Sequence, residues 1–133
     1  MPAVVADTHA LVWYLLDRGR LSTDALAALD AAAVSGDPVW ISAVTLVELT
    51  YLVEKGRLPA IVKERVEAEI GRPDVALAVA PLDQEVARLV SQVPRGDVPD
   101  MPDRIIAATA LALALPLVSR DRRIRASAIH TIW

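Results

Sequence analysis

Residues 3–16, AVVADTHALVWYLL, open with four small or branched apolar residues, break at Asp7, and resume as an apolar pattern of a different period. The run 3–6 is too short for a helix and reads as a strand buried on both faces. After the break Leu11, Val12, Leu15 and Leu16 recur at helical spacing, and Gly19 is a plausible stop. A buried strand passing straight into a helix, with an acid at the junction, is the building unit of an α/β fold.

The rest of the chain repeats that unit. Ser22 or Thr23 caps a second helix carrying Leu26 and Leu29 inward and ending near Gly36. Residues 38–42 read as the second strand. Thr45 opens a third helix through Leu46, Leu49, Tyr51 and Leu52 to Gly56, and Pro59 begins a more charged one that fades by Gly71. Residues 75–79 form the third strand, and Asp83 caps a helix holding Val86, Leu89 and Val90. The stretch 94–102 contains three prolines and Gly96 and reads as the long loop of the chain. Asp103 begins a strongly apolar helix to about Ala114, followed by short strands at 117–119 and 128–132. Strands alternating with helices predict an α/β protein, a three-layer α/β/α sandwich on a mainly parallel sheet, with residues 1–133 as a single domain.

Composition excludes several classes. There is no cysteine, so disulfides and thiolate metal sites are out and a reducing cytoplasm is expected. Hydrophobic residues make up 54%, which raises the question of a membrane segment. The best candidate, 105–115, is about eleven residues long, against about 20 needed to span a bilayer. The N-terminus lacks the basic flank of a signal peptide. A net charge of −3 argues against bulk electrostatic attraction to nucleic acid. The cations are uneven, however: Arg120, Arg122, Arg123 and Arg125 fall within six positions and could form a local RNA-contacting patch.

In a parallel sheet the carboxyl ends of the strands share one edge, and ligand sites form there. Asp7 follows the first strand directly, and Asp121 comes two residues after the run 117–119. Glu48 lies one turn inside the helix after the second strand. Asp103 starts the apolar helix, with Asp100 three residues earlier. Carboxylates gathered this way repel, and a cation relieves them. All-oxygen ligands without Cys or a well-placed His suit Mg²⁺, or Mn²⁺. Such a site can activate water and stabilise the leaving oxygen in phosphodiester cleavage.

Three segments carry a resemblance: VVADTHALVWYLL (4–16), ISAVTLVELTYLVEKGRL (41–58) and MPDRIIAATALALALPLVSRDRRI (101–124). Together they resemble the PIN-domain family, and within it the VapC-like toxins of toxin–antitoxin pairs, over nearly the whole chain. The resemblance implies a magnesium-dependent endoribonuclease with Asp7, Glu48, Asp103 and Asp121 as an acidic tetrad. It implies that the hydroxyls of Thr8 and Ser119 support the metal site. It also implies a homodimer neutralised by a small antitoxin. His9 departs from the small or hydroxyl residue of many relatives, so no histidine role is carried over.

Each acid also has a purely structural reading. Asp7 can end a strand in a turn. Thr45 and Glu48 match the capping-box spacing. Asp103 suits a helix N-terminus, Asp121 a last helical turn, and Thr8 a helix cap. The functional case rests on their conjunction. Among other classes, an aspartyl-phosphate phosphatase needs a second Asp where His9 stands, and a phosphoacceptor receiver needs an acid where Ala6 stands. A binding module that kept the fold without turnover stays open. Trp13 and Tyr14 read as core or partner-groove residues, because the sequence shows no basic stripe around them. With Leu46, Tyr51 and Leu52 they are expected to offer an apolar surface for a second copy or a helical peptide.

Overall fold

A computed structural model of the chain describes residues 2–72 and 77–133. Val4–Ala6 forms β1 and passes through Asp7 into α1 (Thr8–Leu16), and α2 (Thr23–Ser35) leads to β2 (Val39–Ser42). Then α3 (Ala43–Glu54) and α4 (Ala60–Ile70) precede β3 (Leu77–Ala80). On the return, α5 (Gln84–Leu89) and α6 (Met101–Leu113) lead to β4 (Leu117–Val118), α7 (Arg122–Arg125) and β5 (Thr131–Ile132). The expected third strand began at Val75; 73–76 lie outside the described residues.

All five strands are parallel, in the order β3-β2-β1-β4-β5. The centre is β1, with Val4 opposite Val39 on one side and Val5 opposite Leu117 on the other. Strand side chains alternate between faces, and the two cores follow that alternation. Val4, Ala6, Val39, Ile41 and Val118 face α1 to α4, packing with Leu11, Leu29, Leu49 and Val66. Val5 and Leu117 face α5 to α7, packing with Val86, Ile106 and Ile124. This is the expected three-layer sandwich. Each of these large side chains contributes roughly 1.5–3 kcal/mol by leaving water.

Most helix ends fall where the sequence places them. Ser22 Oγ accepts from Ala25 N at 3.0 Å, Asp83 Oδ1 from Val86 N at 2.9 Å, and Gly36 closes α2 at φ +77°. Four starts and stops differ, each because a different residue has taken the cap. α1 is capped by Asp7, leaving Thr8 as its first residue. α1 stops at Leu16, and Gly19 falls in a 3₁₀ turn, Arg18–Arg20. α3 is capped by Ser42, whose Oγ accepts from Val44 N at 3.1 Å. Thr45 is therefore the third helical residue and the Thr45–Glu48 capping box does not form. α6 is capped by Asp100, which accepts from Asp103 N at 3.1 Å, so Asp103 is its third residue rather than its first. The preceding loop is pinned from α6: Arg104 Nε donates to Val93 O at 2.9 Å and Nη2 to Val90 O at 3.1 Å. With Val93 and Val98 buried as well, the proline-rich stretch is held against the helix whose start it sets.

Ile106 is fully buried one turn after Asp103. Ile106→Ala is expected to cost about 2–5 kcal/mol, read from the midpoint of urea unfolding. A loss under about 1 kcal/mol would mean the second core does not seat α6 as described.

Candidate active site

The strand order reverses at β1. The chain leaves it toward β2 on one side and reaches β4 on the other, which opens a crevice at their carboxyl ends. The four acids singled out from the sequence stand around that crevice. Asp7, at the end of β1, is buried; its Oδ1 accepts from Ala10 N at 2.8 Å and the Ser119 hydroxyl bonds its carboxyl. Burial raises its pKa; Ser119, Ala10 N and His9 oppose the rise, and Asp121 adds to it. Ser119, itself fully buried, also accepts from Asp121 N at 3.1 Å, so one hydroxyl ties the ends of β1 and β4 together. Asp121 Oδ1 accepts from Arg123 N at 2.8 Å and Ile124 N at 3.3 Å, capping α7.

Glu48 enters from α3. Its Oε1 accepts from the Thr8 hydroxyl at 2.6 Å, and Thr8 lies 3.1 Å from the hydroxyl of Thr45. A carboxylate only accepts, so the single proton of Thr8 goes to Glu48 and that of Thr45 to Thr8. Both threonines are buried, which makes the chain of hydroxyls a fixed strut under the glutamate. Thr45 was legible only as a cap. Its spacing from Glu48 puts both on one face of a helix, a signal that fits the strut equally well. Burial raises Glu48 too, opposed by Thr8 and His9 and reinforced by Asp100 and Asp7.

Asp103 is the most perturbed of the four, pushed up to about 8 by burial first, then by Asp100, Asp121 and Glu48. Its carboxyl is also hydrogen-bonded to that of Asp121, and two carboxyls in such contact cannot both ionise freely. The interactions close a ring: Asp7 with Glu48, Glu48 with Asp103, Asp103 with Asp121, and Asp121 with Asp7. Asp100 stands outside it, beside Asp103 and Glu48. None of the ring acids makes a salt bridge among the described residues. An all-oxygen donor set that no salt bridge neutralises among the described residues has the chemistry for a hard divalent cation. The ring is open, however: among the described residues no three acids or histidines gather closely enough to hold a metal ion.

The arginines lie beside the crevice rather than in it. Arg120, Arg122 and Arg123 are all exposed. The expected apolar surface is corrected at two positions. Trp13 is only 9% exposed. The Tyr14 hydroxyl donates to Asp30 at 2.9 Å while Arg18 covers its ring at 4.4 Å. On α3, Val47 and Tyr51 remain exposed, bordering a groove of about 440 Å³ that reaches Glu48, Asp100 and Arg57.

The sequence profile of the PIN domain matches residues 4–129. The chain belongs to the PIN-domain family. It is 28% identical over 125 residues to ribonuclease VapC22 of Mycobacterium tuberculosis, covering 94% of this chain and 92% of that one. In structure this PIN domain shares the fold of VapBC2 from Rickettsia felis, solved bound to a promoter DNA fragment. There the TM-score is 0.70 at 16% identity, over 97% of this chain and 96% of that one. It likewise shares the fold found in a toxin–antitoxin complex from Klebsiella pneumoniae, at TM-score 0.65 and 20% identity, over 98% and 96%. No helix among the described residues is long and apolar enough to cross a membrane.

A folded-state pKa raised from 3.8 to about 8 means that the folded PIN domain holds the Asp103 proton more tightly than the unfolded chain does. That stability is full below about 4 and is lost as pH rises toward about 8. In EDTA the melting temperature should therefore fall across that window, and Asp103→Asn should flatten the fall. Parallel profiles for the two proteins would show that Asp103 ionises normally and the ring is not coupled.

Proposed function

We propose that the chain, as one nuclease domain over residues 1–133, is a divalent-metal-dependent endoribonuclease and the toxin of a toxin–antitoxin pair. Asp7, Glu48, Asp103 and Asp121 would hold Mg²⁺, with Mn²⁺ able to replace it. The observation that carries this reading is the ring of mutually repelling acids, without a salt bridge among the described residues, at the switch point of a parallel sheet. Likeness over nearly full length to a protein named a ribonuclease, and to the folds of toxin–antitoxin complexes, supports it.

The chain's own part is positioning. Backbone amides fix Asp7 and Asp121, Ser119 ties them together, and Thr8 fixes Glu48. Among the described residues Oε2 of Glu48 is left without a protein donor, available to a ligand. Asp103, the least restrained of the four, has its pKa pushed up to about 8 by burial and by its acidic neighbours. When bound, the metal supplies water activation and charge neutralisation for phosphodiester hydrolysis, and it reverses the local sign so that an acidic protein accepts a polyanion. Of the arginines expected to meet RNA, the exposed Arg120 and Arg122 stand where they can meet that polyanion. The cytoplasm, where RNA and a reducing environment coincide, is the compartment this reading requires.

One observation favours the alternative, a PIN-like module acting through protein partners without turnover: the openness of the acid ring. Chelation separates the two. EDTA should abolish RNA cleavage and Mg²⁺ or Mn²⁺ restore it, Asp103→Asn should remove it, and Thr8→Val should lower it roughly 10- to 100-fold. Cleavage that survives EDTA would overturn the metal site, and no cleavage with either ion would favour the binding module.

For partners we propose a homodimer and a small antitoxin, with the exposed Val47 and Tyr51 on α3 supplying apolar contact. Light scattering should report a dimer at micromolar concentration, and Val47→Asp should shift it toward monomer. A monomer in the unsubstituted chain would remove the dimer.

A further inference from the structure

The basic stripe that the sequence hides is assembled by the fold. Over the ring of Trp13 stand two guanidiniums, Arg20 at 4.9 Å and Arg120 at 5.7 Å from its centroid. Trp133 packs against the same ring at 5.9 Å and His9 at 5.7 Å. The indole is buried and the arginines are exposed, so Trp13 serves as a platform that orients charge toward solvent. Next to it Arg122, Arg125, Thr131 and Trp133 line an open pocket of about 410 Å³. Arg122 and Arg125 are three apart on α7 and share a face. Arg123 does not line the pocket.

None of Arg20, Arg120, Arg122 and Arg125 makes a salt bridge among the described residues. Four unpaired guanidiniums around two indoles, in a chain of net charge −3, are more than a solvated surface requires. Their position gives the face its use. Arg120 lies between Ser119 and Asp121, and His9 lies two residues after Asp7, so the face starts where the acid crevice ends. Cationic side chains with an accessible aromatic are the means by which single-stranded nucleic acid is held, phosphates on the charges and an unstacked base on the ring.

We propose that this face binds the single-stranded flank of the RNA substrate, with a nucleotide in the pocket, its base against Trp133 and its phosphates at Arg122 and Arg125, while Arg20 and Arg120 hold the backbone nearer the crevice. The proposal rests on the ribonuclease reading for the identity of its ligand. It keeps Arg125 in the contact set, leaves out Arg123, and adds Arg20 and Trp133. A duplex has no free base to offer the pocket.

The test is binding, which stays separate from cleavage. The full chain carrying Asp103→Asn is titrated with a short fluorescein-labelled oligouridylate, and anisotropy is followed over a range of salt concentrations. Adding Arg122→Ala with Arg125→Ala should weaken binding about tenfold and reduce the slope of log affinity against log salt by about 1.4, since each single-strand phosphate contact accounts for roughly 0.7. Trp133→Ala should weaken binding about tenfold with the slope unchanged. Arg123→Ala should leave both at the starting values. Equal losses for Arg123→Ala and the Arg122–Arg125 pair would show general charge attraction and overturn the pocket. So would an RNA duplex that binds as tightly and responds to the same variants. So would an unchanged oligouridylate affinity with loss of binding to polyglutamate, which would make this a face for acidic peptides. A chain that binds oligouridylate through these residues yet cleaves no RNA with metal present keeps the pocket and loses the nuclease assignment.

Discussion

Asp103 and Asp121 share a hydrogen bond although each is an acid, and Asp7 is buried with a carboxyl that makes no salt bridge among the described residues. Left to themselves such groups would move apart or stay protonated. They stay because each belongs to an element with its own reasons to be there. Asp7 and Asp121 cap helices, Glu48 is propped by two buried threonines, and Asp103 rides on a helix seated in the second core. The repulsion is thus stored by the packing of the sandwich, and positive charge arriving in the crevice relieves it.

The same residues show the double use that makes the site hard to separate from the scaffold. Asp100 caps α6 through Asp103 N, and its charge raises the carboxyl of the residue it caps. Ser119 satisfies one acid by its hydroxyl proton and the backbone of another by its oxygen. Replacing either residue therefore changes local folding and electrostatics together, and only variants that keep shape while changing charge report on one of them.

Much of this was legible before any coordinates. The run 3–6, broken by Asp7 and followed by helical spacing, gives both the central strand and its acid, because apolar period and junction are local properties. The helix starts were less legible. Ser42 and Thr45, or Asp100 and Asp103, are equally good caps in sequence, and in both cases the earlier residue, at the end of the preceding strand or loop, takes the cap. No basic stripe around Trp13 is visible in the sequence, because Arg20 comes over its ring only through the turn after α1 and Arg120 only through the closing of the sheet. The acids were identified by where strands end; what holds them, Thr45 under Thr8 and Arg104 against the loop, depends on contacts between helices that no periodicity reports.

The register of β1 has a consequence for synthesis. Val5 pairs with Trp40 on β2 early in the chain but with Leu117 on β4 only much later. Translation proceeds from the N-terminus, and pairings between distant residues form late. Asp7 and Glu48 can be brought together by the first half of the chain, whereas Asp103 and Asp121 take their places when β4 docks. The crevice is accordingly the last part of the molecule to be completed, and an unfinished chain on the ribosome, surrounded by RNA, carries only half of its acids in position.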